Sequence, residues 1–174
     1  DIYSRVVYGA RVSLLVGVAV ALISVVCGLF FGLLAGFFRL LDAVIMRIMD
    51  GLMAIPAILL AIAMVSLFRS SVWTVIIAIT VPQVPGVVRL VRSIVLSVRE
   101  EPYVEAAVTL GTSTPKLLWR HVLPNTIAPM IVQGTFICAS AILIEAILSF
   151  LGIGVPPEVP TWGNIMAEGR QVFS

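Results

Sequence analysis

Apolar residues run along this chain in long blocks rather than at alternating positions. No charged residue occurs from Val12 to Phe38. A helix needs roughly 20 apolar residues to cross the hydrocarbon of a bilayer, so residues 12–38 are predicted to form a first spanning helix. Asp1, Arg5 and Arg11 make the preceding residues polar. Within the span, Gly28, Gly32 and Gly36 recur at every fourth position on one face. Such a face of small residues lets another helix backbone approach closely. Arg39, Asp42 and Arg47 mark a short connection, and a second span is predicted over 43–67, with Asp50 in its first turns and Pro56 near its middle. Arg69-Ser70-Ser71 turns the chain into a third span, 72–98, which Pro82-Gln83-Val84-Pro85-Gly86 is expected to interrupt. Each proline removes a backbone hydrogen bond and crowds the carbonyl four residues back, so a kink is expected there. Beyond it, Arg89, Arg92 and Arg99 lie opposite Leu90, Val91, Ile94 and Val98 at helical spacing. That pattern predicts a helix that leaves the bilayer with one basic side. A fourth span is predicted over 126–151, with Glu145 near its far end, followed by a Gly/Pro-rich loop at 152–161. Trp162, Ile165, Met166, Val172 and Phe173 then recur as on a helix too short to span, which predicts an interfacial helix closing the 152–174 segment.

Residues 99–125 are the one long polar stretch. Pro102 suits the first turn of a helix, where its missing N–H costs nothing. Gly111 suits the position just past a helix end, where φ turns positive. Thr114-Pro115 reads as an N-cap followed by the first residue of a second helix. The stretch is therefore predicted as a short helix, a sharp turn and a second short helix. A helix of about nine residues is marginal alone in water, so it must lean on the membrane surface or on a partner protein.

Composition turns the spans from a pattern into a class. The 174 residues are 60% hydrophobic and 11% charged, with a mean hydropathy of +1.15. Soluble domains hold about 25% charged residues, so the fold class is an all-α polytopic membrane protein. The net charge of +2 gives no footing for nucleic acid. Cys27 and Cys138 lie in apolar runs and read as inert thiols rather than a metal site or a disulfide. If the 99–125 loop is cytoplasmic, Arg39, Arg47, Arg89, Arg92, Arg99, Lys116 and Arg120 share its side, seven of the 11 basic residues. Arg5, Arg11, Arg69 and Arg170 take the other side, which agrees with the positive-inside rule.

No catalytic constellation is present in the sequence. His121 is the single histidine, which excludes a multi-histidine zinc site. Gly111-Thr112-Ser113-Thr114-Pro115-Lys116 lacks the second glycine of a phosphate loop and follows no strand. No cofactor is expected, and if ATP drives this protein another subunit binds it. Asp50 and Glu145 are the acids inside apolar runs. Intramembrane acids are costly and point to function by default. Asp50 is set against a structural pairing with Arg47, three residues away on the same face. Glu145 is left open between a place on a solute pathway and a position close enough to the far end to reach water.

Glu105-Ala106-Ala107, Gly111 four positions on, and Leu123-Pro124 resemble the EAA loop, E-A-A-x3-G-x9-I-x-L-P, of the permease subunits of binding-protein-dependent ABC importers. His121 stands where that pattern has Ile, which alters one packing contact. Ser149-Phe150-Leu151-Gly152-Ile153-Gly154-Val155-Pro156-Pro157, Pro160-Thr161-Trp162-Gly163 and Glu168-Gly169-Arg170 resemble the dipeptide/oligopeptide/nickel branch. So do Asp1-Ile2-Tyr3-Ser4-Arg5 and Tyr8-Gly9-Ala10-Arg11.

The resemblance implies a type I importer permease core and a multi-pass subunit of a bacterial or archaeal cytoplasmic membrane. It implies one further span before residue 1 and one after residue 174. It also implies four kinds of neighbour: a second permease subunit, two ATP-binding subunits, an extracytoplasmic substrate-binding protein, and membrane lipid. In the family the EAA loop enters a groove on the ATP-binding subunit. The expected function is a non-enzymatic half-pathway for di- and oligopeptides, coupled to ATP through Glu105, Ala106, Ala107, Gly111, Leu123 and Pro124. Asp50, Pro82, Pro85 and Glu145 are the candidate pathway or kink residues. The alternatives are nickel or glutathione as cargo or, from another class, an ATP-independent channel or membrane scaffold. A channel calls for a polar ring in its spans, and a scaffold needs no helix-turn-helix loop of this spacing.

Overall fold

The computed structural model describes residues 2–68 and 70–172. Asp1, Arg69, Phe173 and Ser174, with the side chains of Ile2, Gln171 and Val172, lie outside the described residues; parts of the opening motif, the 69–71 turn and the interfacial pattern fall on them.

The chain is helical in the order α1 (Ile2–Phe37), α2 (Arg39–Met53), α3 (Ala57–Leu67), α4 (Val72–Arg99), α5 (Pro102–Thr109), α6 (Thr114–Leu117), a π-helical turn (Leu118–Val122), α7 (Leu123–Phe150) and α8 (Trp162–Val172). Among the described residues, three helical stretches are long and apolar enough to cross a membrane, and a fourth is so if the bent pair α2–α3 counts as one span.

Close backbone approach holds the centre together. The glycine ladder of α1 meets a valine ladder of α4 in register, Gly28 on Val87, Gly32 on Val91 and Gly36 on Val95. A Cβ added at Gly32 would fall 2.5 Å from Val91 Cβ, and one at Gly36 would fall 2.6 Å from Val95 Cβ. Ser24, one turn earlier on the same stripe, is fully buried. Gly17 lets α7 in on another side of α1, where an added Cβ would meet Ile142 Cγ1 at 2.7 Å and the Cys138 carbonyl at 3.0 Å. Val16, Val20, Val75, Ile76, Ile79, Ile137 and Leu148 fill the remaining core with no exposed surface.

The predicted spans need four corrections. The first helix starts at Ile2, not 12, and its 36 residues continue through the polar opening. At about 1.5 Å per residue such a helix is far longer than a ~30 Å hydrocarbon core, so polar turns can stand outside it. The predicted 43–67 span is two helices bent by 87°. Pro56 cannot donate within a helix and pushes Ile55 away from helical angles; it becomes the N-cap of α3, at φ −53° and ψ 131°.

The third correction runs the other way. α4 continues unbroken through Pro82 and Pro85, so the expected interruption is absent. The prolines still leave the Ala78 and Val81 carbonyls without an α-helical donor, but fully buried neighbours on both sides, among them Ile79 and Val87, hold the helix against α1. The fourth concerns the polar stretch, whose second arm is no separate helix: it opens a continuous 37-residue helical run, Thr114–Phe150.

If the seam decides the packing, enlarging it should separate α1 from α4. Gly32→Ala is expected to destabilise the protein by about 1–3 kcal/mol, the usual range for overpacking. Adding Val91→Ala should recover part of the loss. Thermal inactivation in mild detergent checks both. A single variant as stable as the parent would show that the seam has slack.

Candidate functional site

The polar stretch folds as a helical hairpin set on the end of the bundle. α5 starts at Pro102 and stops at Thr109 because Gly111 takes φ +77°. Gly111 N–H then donates to the Val108 carbonyl at 2.9 Å, and Thr112 N–H to the Ala107 carbonyl at 3.0 Å. These two bonds form a Schellman motif, which satisfies carbonyls that a helix end would otherwise leave free. The second arm begins one position earlier than predicted, with Ser113 as N-cap and Thr114 as the first helical residue.

The arm then widens into the π turn, closed by Leu123 N–H donating to the Leu118 carbonyl. Pro124 explains the wide turn. It has no N–H to give the Arg120 carbonyl, and its ring would crowd that carbonyl in an α turn. The Asn125 side chain collects the His121 carbonyl at 2.6 Å, and Thr126 Oγ1 the Leu123 carbonyl at 2.7 Å. His121 itself is half-buried beside the Tyr103 ring, 5.8 Å between centroids. That contact takes the place of the aliphatic one expected from Ile.

Val104 anchors the hairpin, buried with Val98, Leu117 and Val122 in the main core. Arg99 joins it to α1, donating to the Gly36 carbonyl at 2.9 Å with its guanidinium over the Phe37 ring. A cation on the last carbonyls of a helix is also favoured by the helix dipole. A groove of about 640 Å³ opens here, lined among others by Arg99, Glu100, Glu105, Val108 and Thr112. Glu105 and Ala106 face outward, Ala107 and Leu123 are half-buried, and Gly111 and Pro124 are exposed. Leu110, 86% exposed, and Trp119, 74% exposed, stand uncovered beside them.

The other candidate residues lie apart from this hairpin. Asp50 does not pair with Arg47. It accepts from Arg89 of α4 at 2.5 Å, because the packing of α2 along α4 brings Arg89 within reach. A second pair, missed in the sequence, lies alongside: Arg92 Nη2 donates to Asp42 Oδ2 at 2.6 Å and Arg92 Nε to Oδ1 at 2.5 Å. The readable signal is two acids, Asp42 and Asp50, and two arginines, Arg89 and Arg92, on the segments that become α2 and α4. Pro85 is buried and Pro82 half-buried within α4. Glu145 sits at the opposite end of the bundle, fully buried, so it does not reach water as one reading had it. The hairpin, the α2–α4 ion pairs and Glu145 are three separate places.

Residues 13–173 match the family described as binding-protein-dependent transport system inner membrane component. The chain belongs to that family. Among its relatives, a probable peptide ABC transporter permease of Sinorhizobium fredii is 55% identical over 170 residues, covering 98% of this chain and 58% of the relative. A di/tripeptide transport system permease of Pseudomonas aeruginosa is 43% identical over 171 residues, covering 98% and 56%. A glutathione transport system permease of Pectobacterium atrosepticum is 38% identical over 171 residues, covering 98% and 57%. The chain spans a little over half the length of the curated relatives it matches. Within that family, the hairpin is the segment of this chain that carries the EAA pattern.

Gly111 gives the hairpin its angle, and an added Cβ there would meet nothing within 4 Å. The cost of a substitution is then conformational. Gly111→Val is expected to cost about 1–2 kcal/mol, whereas Gly111→Asn, which tolerates positive φ, should cost clearly less. Hydrogen exchange of the amides at 108–113 in the two variants checks this. Equal protection in both would refute the left-handed requirement.

Proposed function

We propose that this chain forms part of the membrane pathway of an ATP-driven importer of di- and oligopeptides, with the EAA hairpin as the surface that meets an ATP-binding subunit. The observation that carries the reading is the hairpin itself. Its glycine turn and buried Val104 make it stiff, while Glu105, Ala106, Leu110 and Trp119 face outward. An uncovered apolar patch beside charged residues suits a protein partner. The relatives named for peptide transport support the cargo class. The partners in this reading are a second permease subunit, two ATP-binding subunits and an extracytoplasmic substrate-binding protein. The chain contributes no hydrolysis of its own.

Seven of the 11 basic residues fall on the hairpin's side of the predicted topology, which supports its placement on the cytoplasmic side of a bacterial inner membrane. Movement of the ATP-binding subunits would then push on a hairpin whose second arm is continuous with a spanning helix.

Two experiments test this. A cysteine at Ser113 should react with an impermeant maleimide only from the cytoplasmic side, and one at Ser70 only from outside; the reverse pattern would overturn the orientation. In proteoliposomes holding the assembled transporter, a labelled tripeptide should accumulate only with ATP and binding protein. Gly111→Val and Glu105→Lys should each lower that uptake severalfold without loss of membrane insertion. Full uptake and full recruitment of the ATP-binding subunits in both variants would make the hairpin a mere connector.

A further inference from the structure

Glu145 belongs to none of the coupling machinery, yet it is wholly enclosed near the end of α7 farthest from the hairpin. A carboxyl in apolar surroundings is costly unless its oxygens are hydrogen-bonded, and here both are. Ser149 Oγ donates to Oε1 at 2.8 Å, and Ser13 Oγ of α1 donates to Oε2 at 3.2 Å. Each serine also accepts a backbone N–H, Ser149 from Val155 at 3.2 Å and Ser13 from Trp162 at 3.4 Å. Val155 lies near the start of the loop after α7, and Trp162 is the first residue of α8. One carboxyl therefore holds both ends of that loop, through one serine on each oxygen.

Between those ends the segment has little freedom. The Asn164 side-chain amide reaches the carbonyls of Val155, Pro156 and Val159 at 3.2, 3.1 and 2.9 Å. The loop also presses onto α7 without slack. A Cβ at Gly154 would fall 2.5 Å from the Ser149 nitrogen, and one at Gly163 would fall 2.8 Å from the Ala146 carbonyl oxygen. Toward α1, Arg5 pairs with Glu168 at 2.7 Å and Trp162 Nε1 donates to the Val6 carbonyl at 3.2 Å. The Arg5–Glu168 pair is exposed, and exposed pairs contribute little. The enclosed node is the stronger tie.

We infer that Glu145 is a positioning residue that seats residues 152–172 as a rigid lid across this end of the α1–α7 pair, and that transport requires the lid in this seat. The inference rests on reading the chain as part of a transport pathway. It gives a buried intramembrane acid a role that needs no contact with solute. Its two arms are separable by mutation.

Hydrogen exchange on the full chain in its assembled complex, held in lipid nanodiscs, tests the seating first. Ser149→Ala should raise exchange at Val155 by up to about tenfold, the scale of one lost buried hydrogen bond, and leave Trp162 unchanged. Ser13→Ala should do the opposite. Glu145→Ala should release both. Glu145→Gln keeps an oxygen for one serine and offers an N–H to the other, whose Oγ can accept it beside the backbone N–H, so it should raise exchange at both amides less than Glu145→Ala does. Peptide uptake should fall further in Glu145→Ala than in either serine variant.

A tether then separates position from direct contact. With Cys27 and Cys138 replaced by alanine, Arg5→Cys and Glu168→Cys bridged by a short bismaleimide should restore uptake to Glu145→Ala. Unchanged exchange at Val155 and Trp162 in Glu145→Ala would overturn the node, and the single-arm variants decide the same point if that variant folds poorly. Raised exchange with undiminished uptake would overturn the lid's part in transport. A tether that restores protection but not uptake would overturn positioning in favour of direct contact with solute. Should the unaltered transporter take up no peptide, the proposed function fails on its own, while the exchange pattern still decides the seating.

Discussion

The seam between the α1 glycines and the α4 valines is the constraint on which the other placements depend. Lipid tails are as apolar as leucine, so two helices in a bilayer gain nothing from hiding oily surface against each other. They gain from close contact, and Gly28, Gly32 and Gly36 supply it by letting α4 settle directly on the α1 backbone. Once that register is set, Arg99 arrives at the Gly36 carbonyl and the hairpin begins at the end of α1. Arg89 and Arg92 are likewise carried to the side where α2 lies, and Asp50 and Asp42 meet them there. The same packing keeps α4 helical through two prolines that would break an isolated helix.

α7 is the second rod, and it joins the two ends of the molecule. From Thr114 to Phe150 the backbone stays helical for 37 residues, roughly 55 Å at the usual rise. Its irregularity is the π turn at Leu118–Val122, next to Pro124. A wide turn has weaker backbone restraint than an α turn, and such turns are common at functional sites. Here it falls between the exposed hairpin and the spanning part, where a push on the hairpin would enter the helix.

Much of this was legible in the sequence because it depends on local chemistry. Pro102, Gly111 and the E-A-A spacing placed α5 and its turn to within a residue, since caps and positive-φ glycines act over a few positions. The glycine ladder announced a packing face, but its partner is set by a register between distant segments, which no local pattern carries. The break at Pro56 and the continuity at Pro82 and Pro85 look alike in sequence; only the density of buried neighbours separates them. Arg47 is the partner that a single helix face offers Asp50, against a solute role, and the tertiary partner is Arg89. Ser149, one turn from Glu145, could have been paired with it by spacing. Ser13, 132 residues away, could not.

The two ends differ in how they satisfy their own surfaces, and that difference carries functional meaning. At the α8 end, Glu145, Ser13, Ser149, Asn164 and two backbone N–H groups all find partners within the chain, so the loop and helix form a closed unit. At the hairpin end the backbone is satisfied by its Schellman turn, but Leu110 and Trp119 remain bare beside the outward-facing Glu105. Apolar side chains left in the open on a stiff support gain free energy only when something covers them. A self-contained loop and helix at one end and an uncovered hairpin at the other is the asymmetry that the proposed coupling through the hairpin would call for. In that proposal the continuous helix from Thr114 to Phe150 would be the path from one end to the other.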